Sequence, residues 1–273
     1  MNATVAIAWH EILIACRNLW VVIASGLMMM FAVVLTLAGS GTANSFGVDQ
    51  LAVVVTSLTT LSVYLVPLIA LLLAFDAIAG EIERGGLALT LTYPLSRASF
   101  LVGKFLSHIL ILAFALALGY SLAGVLSFLL GGAKLDSLTA LVKLYGSALL
   151  LGATFLGLGY TVSGLTRRVS SAAGLAMCLW LVGVVIYDLG LLGALIVDNG
   201  GFFTTTLFPW LLVANPADAF RIINLTGSEI KLLADGLFSG KAALPSLVPL
   251  VAVLIWPSVA MVMAWFVFRR IEP

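Results

Sequence analysis

The sequence predicts an all-α polytopic membrane protein with six transmembrane helices. Three observations predict it. Apolar residues make up 62% of the 273-residue chain and charged ones only 9%, whereas a soluble domain carries about a quarter charged residues. Mean hydropathy is +1.20. The charges also cluster, leaving uncharged windows at 18–48, 50–75, 105–133, 144–166, 169–187 and 242–268. Each window is close to or beyond the about 20 residues a helix needs to cross a bilayer. The runs are continuously apolar rather than alternating over ~10 residues, which excludes a barrel. So few charges cannot cover a soluble surface, and the solvent is lipid.

Helices are expected near 20–38, 51–75, 105–130, 144–165, 172–196 and 247–268 of a single transmembrane domain. An even number puts both termini on one side. Arg17, Arg84, Arg97, Lys104, Arg167, Arg168, Arg269 and Arg270 share that side, against Lys134, Lys143, Arg221, Lys231 and Lys241 on the other. Short cytoplasmic loops hold the excess of Lys and Arg, so both termini are expected in the cytoplasm of a bacterial inner membrane. A secretory leader fits poorly, because the first apolar stretch is too long and Glu11 stands where basic residues belong. The net charge of +1 gives no electrostatic reason for a nucleic-acid partner.

Ahead of the first span, residues 5–19 place His10-Glu11 and Arg17-Asn18 on one helical face, as an amphipathic helix in the interface does. The other reading is one long tilted helix over 5–38. Residues 76–104 form a structured cytoplasmic connection punctuated by Gly80, Gly85, Gly86 and Pro94, with Ser96 as a helix cap. Its apolar Ile82, Leu87, Leu89 and Leu91 are too many for a solvated loop and call for a protein partner; the other reading is a loop folded back on the chain's own helices. On the other side, 197–246 is the only large external segment and dips into the outer leaflet or forms a lid. Within it, Pro216 and Asp218 start a short helix over 217–225.

Metal and nucleotide chemistry finds no ligand set. His10-Glu11 lacks the second His of a zinc-protease pattern, since position 14 is Ile. Gly103-Lys104 and Gly240-Lys241 are followed by Phe105 and Ala242, not by the Ser or Thr of a phosphate-binding loop. Cys16 and Cys178 read as small buried hydrophobes. Met28, Met29 and Met30 point in three directions about a helix, so they read as filler rather than a copper path. Ionisable groups within spans are functional candidates by default: these are Asp76, His108 and Asp188. Wet helix ends or pairs between helices account for the first two; Gly190 and Gly193 bend or end the helix after the third. One deep carboxylate is too little for a proton-driven carrier. Small residues every four positions, at Ala115-Gly119-Ala123, Gly159-Ser163 and Gly190-Ala194, serve helix packing.

The segments AWHEILIACRNLW and GEIERGGLALTLTYPLSRASFLVGKF resemble the integral-membrane subunits of the ABC-2 class of ABC transporters. LAFDAIAGE, TLTYPLSR, GKF with His108, SSAAGLA and NPADAFRIINLTG resemble the branch of that class serving maturation of periplasmic nitrous oxide reductase. The resemblance implies a type V-like permease fold that works as two copies with two cytoplasmic ATPase subunits, NosF-like in this branch. It implies no catalytic residue and no cofactor or metal in this chain, with ATP and Mg bound by the ATPase. It implies a coupling helix at the ATPase within 81–97: polar contacts from Glu81, Glu83, Arg84 and Arg97, apolar ones from Tyr93 and Leu95, and a smaller contact from Arg167 and Arg168. Outside, it implies a periplasmic β-helical partner, NosD-like, met by Asn215, Pro216, Asp218, Arg221 and Asn224, and through it a copper chaperone. The implied output is copper-site assembly, by moving a sulfur species or by transmitting ATP-driven motion. An ABC-2 exporter of another hydrophobic or polymeric substrate, and a passive membrane scaffold for a periplasmic assembly, are the alternatives.

Overall fold

The computed structural model describes residues 19–46, 49–92, 96–131, 135–198, 200–225, 245 and 247–271, and every regular element among them is helical. The predicted interfacial helix, Leu19 apart, lies outside these residues, as do Tyr93, Leu95 and 226–244. Five helical stretches are long and apolar enough to span a membrane: Gln50–Glu83, Arg97–Leu130, Asp136–Gly164, Val169–Asp198 and Leu247–Phe268. The first helix, α1, covers Leu19–Phe46 and contains the expected span at 20–38, but is not among those five, so five of the six expected spans stand as candidates by length and composition.

The chain continues through α2 (Gln50–Ala74), α3 (Asp76–Glu83) and α4 (Gly86–Thr92), then the long α5 (Arg97–Gly131) and α6 (Leu135–Gly164). Helix α5 starts at Arg97 rather than near 105, so the connection after α2 is shorter than expected and partly helical. Helix α7 runs Val169–Asp198, with π-helical geometry over Leu181–Ile186. It continues past Gly190 and Gly193, where a bend or end was expected. Helix α8 (Phe203–Ala214) and α9 (Pro216–Asn224) form a hairpin, and α10 (Leu247–Phe268) closes the bundle.

Helix α6 is the central post, packed against α2, α5, α9 and α10. Small residues make that possible. A Cβ on Gly157 would lie 2.8 Å from the Ala260 Cβ and 2.9 Å from the Ala260 carbonyl carbon, and one on Gly159 would lie 2.5 Å from the Ala74 Cβ. The backbones of α6 and its neighbours therefore meet directly, as in lipid, where van der Waals packing replaces the hydrophobic effect between helices. Several polar side chains inside the bundle are satisfied locally, whereas the buried hydroxyls of Ser127 and Thr204 have no partner among the described residues. Thr36, Thr59, Ser62, Thr154 and Thr161 each donate to the carbonyl four residues earlier, and Tyr120 Oη lies 2.6 Å from Ser62 Oγ. At the end where α2 and α6 begin, the Ser137 hydroxyl donates to the Asp49 carboxylate. Met28 is buried and Met30 exposed, the divergence expected of adjacent helical residues.

Candidate functional site: a coupling face and a membrane-buried polar cluster

Two polar constellations stand out. The first lies at the end of the bundle rich in arginine, where α2 gives way to α3. A helix break leaves N–H and C=O groups that lipid cannot satisfy. Here α6 satisfies them: Ser163 Oγ accepts from the Ile78 and Ala79 N–H groups at 3.0 and 2.9 Å and donates to the Phe75 carbonyl at 2.6 Å. The close approach at Gly159, one turn back, brings Ser163 within reach of the joint. Asp76 and Arg84 bracket α3 and pair at 3.3 Å. Each opposes the helix dipole at its end, Asp76 in the first turn and Arg84 just past the last.

Glu81 pairs with Lys104 at 3.1 Å. The lysine is 4% exposed, and its ammonium lies 5.2 Å over the Phe100 ring. Glu83 accepts from the Val169 N–H at 2.6 Å, capping the start of α7. The connection turns at Gly85, whose φ of 71° is in the left-handed region that favours glycine. In the following α4, Leu87 is buried while Leu89 is 67% exposed. Arg97 Nη1 donates to the carbonyls of Phe268, Arg269 and Ile271 at 3.2, 3.3 and 2.7 Å, terminating α10. Of the predicted coupling residues, Glu81, Glu83, Arg84 and Arg97 thus each bind the chain's own elements. Arg167 and Arg168 are exposed in the turn after α6. His108, buried, sits 2.7 Å from Tyr160 Oη and joins α5 to α6.

The second constellation lies about halfway along α7. A π-helical stretch shifts backbone pairing from i+4 to i+5, and the Gly183 carbonyl within it accepts from Asn215 Nδ2 at 2.8 Å. Asn215 is the turn of the α8–α9 hairpin, and its Oδ1 caps α9 by accepting from the Ala217 N–H. Gly183 lies 14 residues into α7 by number, about 21 Å along its axis at 1.5 Å per residue. The hairpin therefore re-enters the bundle, turns near its middle and returns. Tyr187 Oη donates to the Leu211 carbonyl at 2.7 Å, holding the descending arm.

On the returning arm Arg221 bridges two carboxylates, Asp188 of α7 at 2.8 Å and Asp218 at 2.9 Å. Asp218 is 1% exposed, and its second oxygen is buried with no hydrogen-bond partner among the described residues. Asn224 Nδ2 donates to Ser147 Oγ at 2.8 Å, tying the end of α9 to α6. The residues expected to face a periplasmic partner are thus seated on the chain's own helices: Asn215 on α7, Arg221 on Asp188, Asn224 on Ser147, with Pro216 opening α9 beside them. Sequence reasoning missed Ser163 as a joint and Lys104 as a buried charge. The signals were present as a small residue four positions after Gly159 and a lysine in a helical continuation of an apolar run.

The match to known proteins follows this architecture. The family model described as "ABC-2 family transporter protein" matches residues 5–272, and the chain belongs to that family of membrane-spanning permeases. It is 41% identical over 274 aligned residues, 99% of each chain, to a Stutzerimonas stutzeri protein named "Probable ABC transporter permease protein NosY". A Pseudomonas aeruginosa protein of the same name is 40% identical over 268 residues, 97% of each chain.

Proposed function

We propose that the chain is the permease subunit of an ATP-driven complex that supports copper-site assembly of periplasmic nitrous oxide reductase. Two copies pair with two NosF-like ATPase subunits in the cytoplasm and with a NosD-like β-helical protein outside. The arginine-rich end faces the cytoplasm. The observation that carries the docking assignment is Leu89, a large apolar side chain 67% exposed on a short helix outside the apolar spans. Such a side chain, rimmed by charge, is the profile of an interface anchor. In this reading Glu83, Arg84 and Arg168 supply its polar contacts, and Tyr93 and Leu95 are assigned to it from the sequence alone.

The wiring behind the anchor supports coupling rather than passive anchorage. From α4, motion passes through α3 to Ser163 on α6 and through Glu83 to the start of α7. The far halves of those two helices hold the re-entrant hairpin, by Ser147 and by Gly183 and Asp188. Outward transmission to the periplasmic partner runs through α9. A Cβ on Gly174, Gly190 or Gly193 of α7 would meet no atom of the described residues within 4 Å, which supports this helix as the contact with the second copy. The transported species is a sulfur compound in this reading, or the hairpin itself is what moves.

Leu89→Asp is the test, because an exposed apolar residue contributes little to the fold of the subunit itself. The variant should reach the membrane at the wild-type level while an ATPase subunit no longer co-purifies with it. Undiminished co-purification would remove α4 from the interface. A Walker-lysine substitution in the partner ATPase separates coupling from scaffolding: the proposal predicts nitrous oxide reductase without its copper centre, whereas a scaffold would leave it loaded.

A further inference from the structure

We propose that the arginine-rich end of the bundle holds an anionic phospholipid, its phosphate between Arg167 and Arg270 and its first acyl carbons against Leu165, Phe266 and Ile271. A cavity of about 500 Å³ opens there between the turn after α6 and the end of α10, and these five residues line it. That volume falls in the about 300–1,000 Å³ range of small-ligand sites. It accommodates a glycerophosphate headgroup rather than a whole lipid.

Three features select the ligand. Neither guanidinium has an ion-pair partner among the described residues, whereas Arg84 and Arg221 have carboxylates, Arg97 has three carbonyls and Arg269 lies 4.4 Å over the Phe266 ring. Two planar donor forks on one cavity suit a phosphodiester, which accepts from both. The rest of the wall is apolar and open: Leu165 is 65% and Phe266 46% exposed. A free phosphate gains nothing from that wall, whereas a phospholipid covers it. The depth also fits, because the arginines directly follow the last apolar residues of α6 and α10, where headgroups begin.

The wall is fixed in place. Arg97 holds the carbonyls of Phe268, Arg269 and Ile271, and Phe100 stacks on Phe268 with centroids 5.5 Å apart. The competing occupant is an acidic surface of the ATPase partner. The apolar wall and the position at the ends of the spans favour lipid.

The experiment uses the full chain purified in mild detergent and titrated with phosphatidylglycerol or phosphatidylcholine, with retained lipid counted by native mass spectrometry. Wild type should retain phosphatidylglycerol over phosphatidylcholine. Arg167→Gln and Arg270→Gln should each weaken that retention roughly fivefold, the effect of about 1 kcal/mol per basic residue near a charged lipid surface. Arg168→Gln, which alters the adjacent residue outside the cavity, should leave it unchanged. Equal retention of both lipids, or an equal loss in Arg168→Gln, would overturn the proposal. So would displacement of phosphatidylglycerol by millimolar inorganic phosphate, which marks a plain anion site, or by the bound ATPase, which marks a protein contact.

Discussion

Two backbone N–H groups and one carbonyl at the joint between α2 and α3 depend on the hydroxyl of Ser163. Ser163→Ala leaves them unpaired in a buried setting, which costs about 1–3 kcal/mol for each unsatisfied group. The variant should melt earlier in detergent, and transport-linked ATP hydrolysis should fall further than its thermal stability suggests. Around Arg221 the expected effects are asymmetric. Arg221→Met strands two carboxylates and should destabilise by about 3–5 kcal/mol, whereas Asp218→Asn keeps an acceptor for Arg221 and should be tolerated. Asp76, His108 and Asp188 were legible in the sequence as ionisable groups in apolar surroundings. Their partners were not, because Tyr160 lies 52 residues from His108 and Arg221 lies 33 from Asp188, and no local pattern encodes such a pairing.

Helix limits show where a charge count succeeds and where it fails. The uncharged windows located the apolar spans, because a charge facing lipid is costly. They cut α5 short, because Arg97 and Lys104 are not facing lipid at all. One terminates α10 and the other is buried against Glu81. Glu81→Gln removes a charge partner of the buried Lys104 ammonium and should destabilise the chain by about 3 kcal/mol, which chemical denaturation measures. The short helix at 216–224 was legible from Pro216 and Asp218. Its seat was not, because the hairpin docks on a π-helical stretch of α7 that carries no sequence mark. At Gly157 the sequence is equally silent, since only the approach of α10 makes that glycine necessary. Gly157→Leu should separate α6 from α10 and lower the yield of folded protein, read as loss of a monodisperse peak in size-exclusion chromatography.

Across the whole molecule, α6 joins what the two ends do. Its arginine-rich end holds the joint of the coupling segment through Ser163, its middle meets α10 at Gly157, and its other half holds the re-entrant hairpin through Ser147 and Asn224. Helix α7 runs parallel in function, capped by Glu83 at one end and bound to Asn215 and Arg221 farther along. In the proposed coupling, a push on α4 would reach the hairpin by these two routes. Docking of an ATPase subunit on α4 is read out by co-purification of the tagged chain from its native membrane, with wild type and Leu89→Asp compared by mass spectrometry. An ATPase subunit and a periplasmic β-helical protein are expected with the wild type, and loss of the ATPase alone with the variant. An equal amount of ATPase with both chains, or none with the wild type, would contradict it.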